Sequence, residues 1–174
     1  MWTIPNILTA GRIAASPVVA LMVLEGATGP AFALFVVAAL TDFLDGWLAR
    51  ALDQRSALGA MLDPIADKAM VILVLAALLG DAGWAIALPA MAIILREVLV
   101  SGLREYLGDV KLAVTRLAKW KTAAQLVAVG ALLMPVEAAQ AAGVVLLWVA
   151  AGLTIVTGMD YFRRARPHLA AREG

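Results

Sequence analysis

The sequence predicts an all-α, polytopic membrane protein with six transmembrane helices and a short N-terminal interfacial helix, residues 1–174 forming one domain. Three observations predict it. Hydrophobic residues make up 63% of the 174, and the mean hydropathy is +0.91, whereas soluble domains carry roughly 45–50% apolar residues. Long apolar runs alternate with short clusters of Gly, Pro and charged residues, the punctuation expected between spans. The basic residues keep to alternate connections, as the positive-inside rule requires of a chain crossing a membrane repeatedly.

The elements follow in order. Met1 to Asn6 lack the basic n-region of a secretory signal, so no cleavage is expected. Pro5 and Asn6 precede I-L-T-A-G-R, which reads as the interfacial entry helix with Thr3 or Asn6 as its cap. Arg12 is then the membrane border, and a first span covers about residues 13–24. Glu25, Gly26, Gly29 and Pro30 turn the chain into a second apolar run, 31–47, that carries Asp42 and Asp45 near its end. A polar loop with Asp53, Gln54, Arg55 and Ser56 leads to a third span, about 60–79, that begins with Asp63 and Asp67. Gly80, Asp81 and Gly83 turn it into a fourth, about 84–103, containing Arg96 and Glu97. A basic connection, a fifth span of about 122–134, a turn at 135–140 and a sixth span of about 141–161 complete the chain, which ends in R-R-A-R-P-H and six further residues.

Six spans make the loops alternate between sides. All 14 Lys and Arg residues lie at the amino end, in the second or fourth connection, in the tail, or on helices leading into these. The opposite loops hold only Glu25, Asp81 and Glu137. Both termini and the acidic residues are therefore expected to face the cytoplasm, in a bacterial inner membrane. A net charge of +1 gives no reason to expect nucleic acid as a partner, and the basic tail, with Arg163, Arg164 and Arg166, suits anionic membrane lipids. With no cysteine, the sequence does not indicate a redox compartment.

The stretch from Asp42 to Asp67 carries the chemistry. Asp42 and Asp45 are three residues apart and Asp63 and Asp67 four, so on helices each pair shares a face. Carboxylates beside hydrocarbon are unfavourable unless paired, metal-bound or facing water. Four close together repel one another unless cations hold them. Oxygen-only ligands favour hard cations such as Mg2+, Mn2+ or Ca2+ over zinc, and the only histidine is His168 in the tail. A pair of divalent cations bound by Asp42, Asp45, Asp63 and Asp67 is the first reading; neutralisation by neighbouring Arg and Lys is the bland one.

Read as D-x-x-D-G-x-x-A-R, eight residues, then G-x-x-x-D-x-x-x-D, the stretch resembles the signature of the CDP-alcohol phosphotransferases, membrane enzymes that join a CDP-activated lipid to an alcohol. Asp42, Asp45, Gly46, Ala49, Arg50, Gly59, Asp63 and Asp67 fill all of its fixed positions. The resemblance implies two Mg2+ or Mn2+ ions per site, with Asp67 both contacting metal and taking the proton of the incoming alcohol. It implies that Gly46, Arg50 and Ser56 face the CDP group of CDP-diacylglycerol, and that the protein is a homodimer. Taken alone, Gly46 and Gly59 equally suit close helix packing, and Arg50 equally suits an interface anchor. Asn6, near the same surface, is a further candidate for the nucleotide.

An anionic acceptor needs cations of its own, and Arg96, Arg104, Lys119 and Lys121 are on the expected side of the membrane. The segments R-E-V-L-V-S-G-L-R-E and A-K-W-K-T are similar to those of the family branch whose acceptor is sn-glycerol 3-phosphate and whose by-product is CMP. Inositol phosphate, inositol or serine are the rival acceptors. From another class, an ion-coupled transporter also uses intramembrane Asp, Arg and Glu, but has no use for the G-x-x-A-R insert.

Overall fold

A computed structural model describes residues 3–51, 57–80, 82–108 and 116–173. These residues form six helices: α1 (Ile4–Leu24), α2 (Thr28–Ala51), α3 (Ala57–Leu78), α4 (Trp84–Leu107), α5 (Arg116–Leu133) and α6 (Glu137–Glu173). Among the described residues three stretches, Asn6–Leu24, Trp84–Leu107 and Glu137–Leu169, are long and apolar enough to cross a membrane. Within the described residues, α2 and α5 also contain the apolar stretches Thr28–Asp42 and Trp120–Leu133.

The separate entry helix is not formed. Residues 4–24 make one unbroken helix, begun by Thr3, whose side chain accepts a hydrogen bond from the Asn6 amide at 3.4 Å, and by Pro5 in the first turn. An interfacial helix turns its polar side to water, whereas here Asn6, Thr9, Arg12 and Ser16 fall on one face and are buried inside the bundle. Arg12 is buried inside the bundle. The helix ends as the sequence suggests: Gly26 adopts φ +74°, the Gly26 amide bonds Val23 O at 3.0 Å, and the Ala27 amide bonds Met22 O at 2.8 Å. This paired closure needs a left-handed residue, which glycine supplies without strain.

The sixth helix also differs from expectation, running on through the basic tail to Glu173. Its 37 residues span roughly 55 Å, well beyond a hydrocarbon core of about 30 Å. Tyr161 and Ala165 on this extension bury against Val100 and Leu107 of α4, which holds the tail in register despite Pro167.

Helix α1 packs on α2 and α3, and α6 packs on α4 and α5; the two groups meet through α2–α5, α3–α4 and α3–α5. Val19, Phe35, Val74, Ile93, Val129 and Leu147, one from each helix, share a common core. The hairpin of α5 and α6 closes tightly at Gly143, where a Cβ would stand 2.8 Å from the Leu132 nitrogen. The outside is as apolar as the inside, with Leu24, Leu40, Leu95, Trp84 and Val145 exposed, the pattern of helices surrounded by lipid. Beside this apolar core, polar residues of α3, α4, α5 and α6 line a cavity at the seam where the two groups meet.

Candidate active site

On the acidic side of that seam, Arg12 reaches from α1 between α2 and α3. Its Nη1 donates to Asp42 Oδ1 and, at 3.0 Å, to Asp67 Oδ1. Thr9, one turn earlier, donates to Asp63 Oδ1 at 3.0 Å. The guanidinium is almost fully buried, while the carboxylates of Asp42 and Asp67 keep 45% and 48% of their surface, so they remain open to a ligand. Among the described residues no three carboxylates gather around one point by themselves. Asp42 and Asp67 meet through Arg12 instead. The donor set is oxygen only, which suits a hard divalent cation in kind.

On the other side, α4, α5 and α6 supply cations. Arg96, halfway along α4, donates to Glu97 Oε1 at 3.2 Å and to Thr157 Oγ1 at 3.3 Å. Its Nε is buried with no hydrogen-bond partner among the described residues. The stem of Arg96 crosses α6 at Gly158, where a Cβ would lie 3.0 Å from Arg96 Cγ, so a larger residue would push the guanidinium aside. Lys121 Nζ also bonds Glu97 Oε1, and both groups are buried. Glu97 thus offsets part of the charge of two neighbouring cations and fixes their positions. Lys68, next to Asp67, donates to Ser101 Oγ at 2.5 Å and ties α3 to α4. Arg104 lies over the Tyr161 ring, 5.9 Å from its centroid.

The two sides share one cavity of about 340 Å3, lined by Asp63, Asp67, Lys68, Arg96, Arg104 and Lys121 among others. A smaller one of about 50 Å3, lined by Arg12, Asp42, Asp67 and Thr122, adjoins it at Asp67. A wider groove of about 690 Å3 on the α3–α4 side shares Pro64, Lys68 and Arg104 with the first. Asp67 is therefore the carboxylate that faces both the acidic and the basic half. Such a cavity can hold two anionic molecules in contact while keeping most of their charge balanced.

The sequence-predicted residues fall into three groups. Asp42, Asp63, Asp67, Arg96, Arg104 and Lys121 are brought together around these cavities. Asn6 is buried on the polar face of α1, one turn from Thr9. Asp45, Gly46 and Arg50 continue α2 and Lys119 lies in α5, but their side chains or surroundings, and all of Ser56, lie outside the described residues. Sequence reasoning missed Thr9, Arg12 and Lys68 as parts of the site. The signal for the first two was the spacing of Asn6, Thr9, Arg12 and Ser16, a polar stripe at helical period in an apolar run.

Comparison with known proteins adds an independent line. The family pattern described as CDP-alcohol phosphatidyltransferase matches residues 2–156. The chain is 44% identical to a CDP-diacylglycerol–glycerol-3-phosphate 3-phosphatidyltransferase of Cereibacter sphaeroides, the match covering 97% of each chain. It is 41% identical to the protein of the same description from Rickettsia bellii, over 95% of this chain and 96% of that one. It is also 38% identical to a cardiolipin synthase (CMP-forming) of Oryza sativa, over 93% of this chain and 57% of that one.

Proposed function

The chain belongs to the CDP-alcohol phosphatidyltransferase family, and on that premise we propose that it transfers the phosphatidyl group of CDP-diacylglycerol to sn-glycerol 3-phosphate. The products are phosphatidylglycerophosphate and CMP, a step of phospholipid biosynthesis. The observation that carries the proposal is the cavity in which Asp63 and Asp67 face Arg96, Arg104 and Lys121. A carboxylate that can take a proton stands there beside cations that can hold a phosphate.

In the proposed reaction Asn6, Gly46, Arg50 and Ser56 bind the CDP group, and Arg96, Arg104, Lys119 and Lys121 bind the acceptor phosphate. The buried, unpartnered Nε of Arg96 supports this, because an incoming phosphate oxygen would satisfy it. Asp67 accepts the proton of the acceptor hydroxyl. The alcohol oxygen then bonds to the phosphorus bearing diacylglycerol, the bond to the bridging oxygen breaks, and CMP leaves with the electron pair. Two divalent cations, Mg2+ or Mn2+, held by Asp42, Asp45, Asp63 and Asp67, would supply charge neutralisation on the pyrophosphate and the leaving group.

All six helices span the membrane in this reading, with both termini and the cavity on the cytoplasmic side of a bacterial inner membrane. Water-soluble acceptor then enters from the cytoplasm while the acyl chains stay in lipid. The bias of Lys and Arg to one set of connections supports the orientation. The working form is a homodimer, an expectation that rests on the family resemblance alone.

The test offers the purified protein labelled CDP-diacylglycerol, a divalent cation and, in turn, glycerol 3-phosphate, inositol phosphate, inositol, serine and phosphatidylglycerol. Product with glycerol 3-phosphate well above the others is expected. Preference for phosphatidylglycerol would point to the activity named in the rice relative, and preference for any other acceptor would overturn the assignment.

A further inference from the structure

We propose that Arg12 is a tethered counter-cation which occupies the carboxylate face in the absence of divalent ion and which an arriving divalent ion displaces. The proposal rests on the reading of Asp42 and Asp67 as metal ligands and goes beyond it by giving α1 a part in loading the site. One nitrogen, Nη1, touches Asp42 on α2 and Asp67 on α3. The guanidinium is 4% exposed while its partner carboxylates keep 45% and 48% of their surface, so the arginine is held from inside the bundle and the oxygens stay open to an ion. A point contact shared by two carboxylate oxygens from different helices is also what a divalent ion makes. Guanidinium and metal are thus alternatives for the same oxygen atoms.

The energetics favour such an arrangement. Without a cation, two carboxylates facing each other beside apolar helices would repel, which would push α2 and α3 apart from α1, on which both pack. Arg12 supplies one positive charge, enough to hold the helices together but less than a divalent ion brings. Metal affinity is then set partly by how firmly Arg12 holds the carboxylates.

The experiment compares wild type with Arg12→Gln in detergent after removal of divalent ions. Melting is followed with and without Mn2+, and Mn2+ affinity is read from the magnetic resonance signal of the free ion. Without its internal competitor, Arg12→Gln should bind Mn2+ about tenfold more tightly. Its metal-free form should melt at a lower temperature, and saturating Mn2+ should close the gap. Affinity equal to or weaker than wild type in Arg12→Gln overturns the proposal, whatever the melting shows. Wild type that takes up no Mn2+ overturns the metal reading itself, and this proposal with it. Should Arg12→Gln fail to fold, the double variant Arg12→Gln/Asp42→Asn, which loses a cation and a carboxylate together, is compared with Asp42→Asn. Folding and melting close to Asp42→Asn support the counter-charge role, and failure to fold or much lower melting overturns it.

Discussion

Asp67 and Arg96 are the two residues on which the proposed chemistry turns, and they fail in different ways when changed. Asp67→Asn keeps the size and the ability to meet Arg12 but cannot accept the acceptor's proton, so turnover should fall by about a thousandfold while the detergent-solubilised protein stays folded. Circular dichroism and gel filtration beside the assay check both halves of that statement. Arg96→Lys keeps the charge but loses the fork whose two ends reach Glu97 and Thr157. The KM for glycerol 3-phosphate should then rise about tenfold, with that for CDP-diacylglycerol little changed. At this scale the aspartates were legible because four carboxylates in an apolar setting demand an explanation, and their spacing on helices supplies one. Arg12 was not, because an arginine near the start of an apolar run reads equally as an interface anchor. Only packing of α1 on α3 reveals that it points inward.

Among the elements, the apolar runs and their Gly and Pro boundaries were readable, and their ends were not. The expected interfacial helix merged with α1 because its polar residues found partners inside the bundle. Helix α6 outran its apolar stretch because Tyr161 and Ala165 found α4. In both cases a tertiary contact decided what local hydropathy could not. The hairpin of α5 and α6 gives a direct check on packing. Gly143→Val would force a side chain against the Leu132 backbone, where a Cβ alone would stand at 2.8 Å. It should destabilise the protein by about 2 kcal/mol, seen as a lower melting temperature in detergent, while the same change at Gly152, where nothing stands within 4 Å, should have little effect. A quieter effect is expected at Gly158, where alanine crowds the stem of Arg96. Gly158→Ala should raise the KM for the acceptor more than it lowers stability, measured by acceptor titration beside a melting curve.

At the scale of the whole molecule, one group of helices carries Asp42, Asp63 and Asp67 and the other carries Arg96, Arg104 and Lys121, and the proposed function needs them to meet where the groups join. Charge balance explains why neither group is self-sufficient: the carboxylates of α2 and α3 need positive partners, and Arg96 and Lys121 crowd around one glutamate. The all-helical membrane architecture was legible from composition and from the placement of basic residues, since both follow from the solvent and not from any particular contact. How six helices arrange themselves was not, because apolar helices of similar length can pack in many orders, and polar contacts at the seam are what distinguish this one. The most direct measurement follows CMP and phosphatidylglycerophosphate together, from CDP-diacylglycerol and glycerol 3-phosphate, using purified protein before and after chelation of divalent ions. Formation of the two products in equal amounts, abolished by chelator and restored by Mn2+, is the predicted result. Undiminished product in the presence of chelator, or CMP released without phosphatidylglycerophosphate, would contradict it.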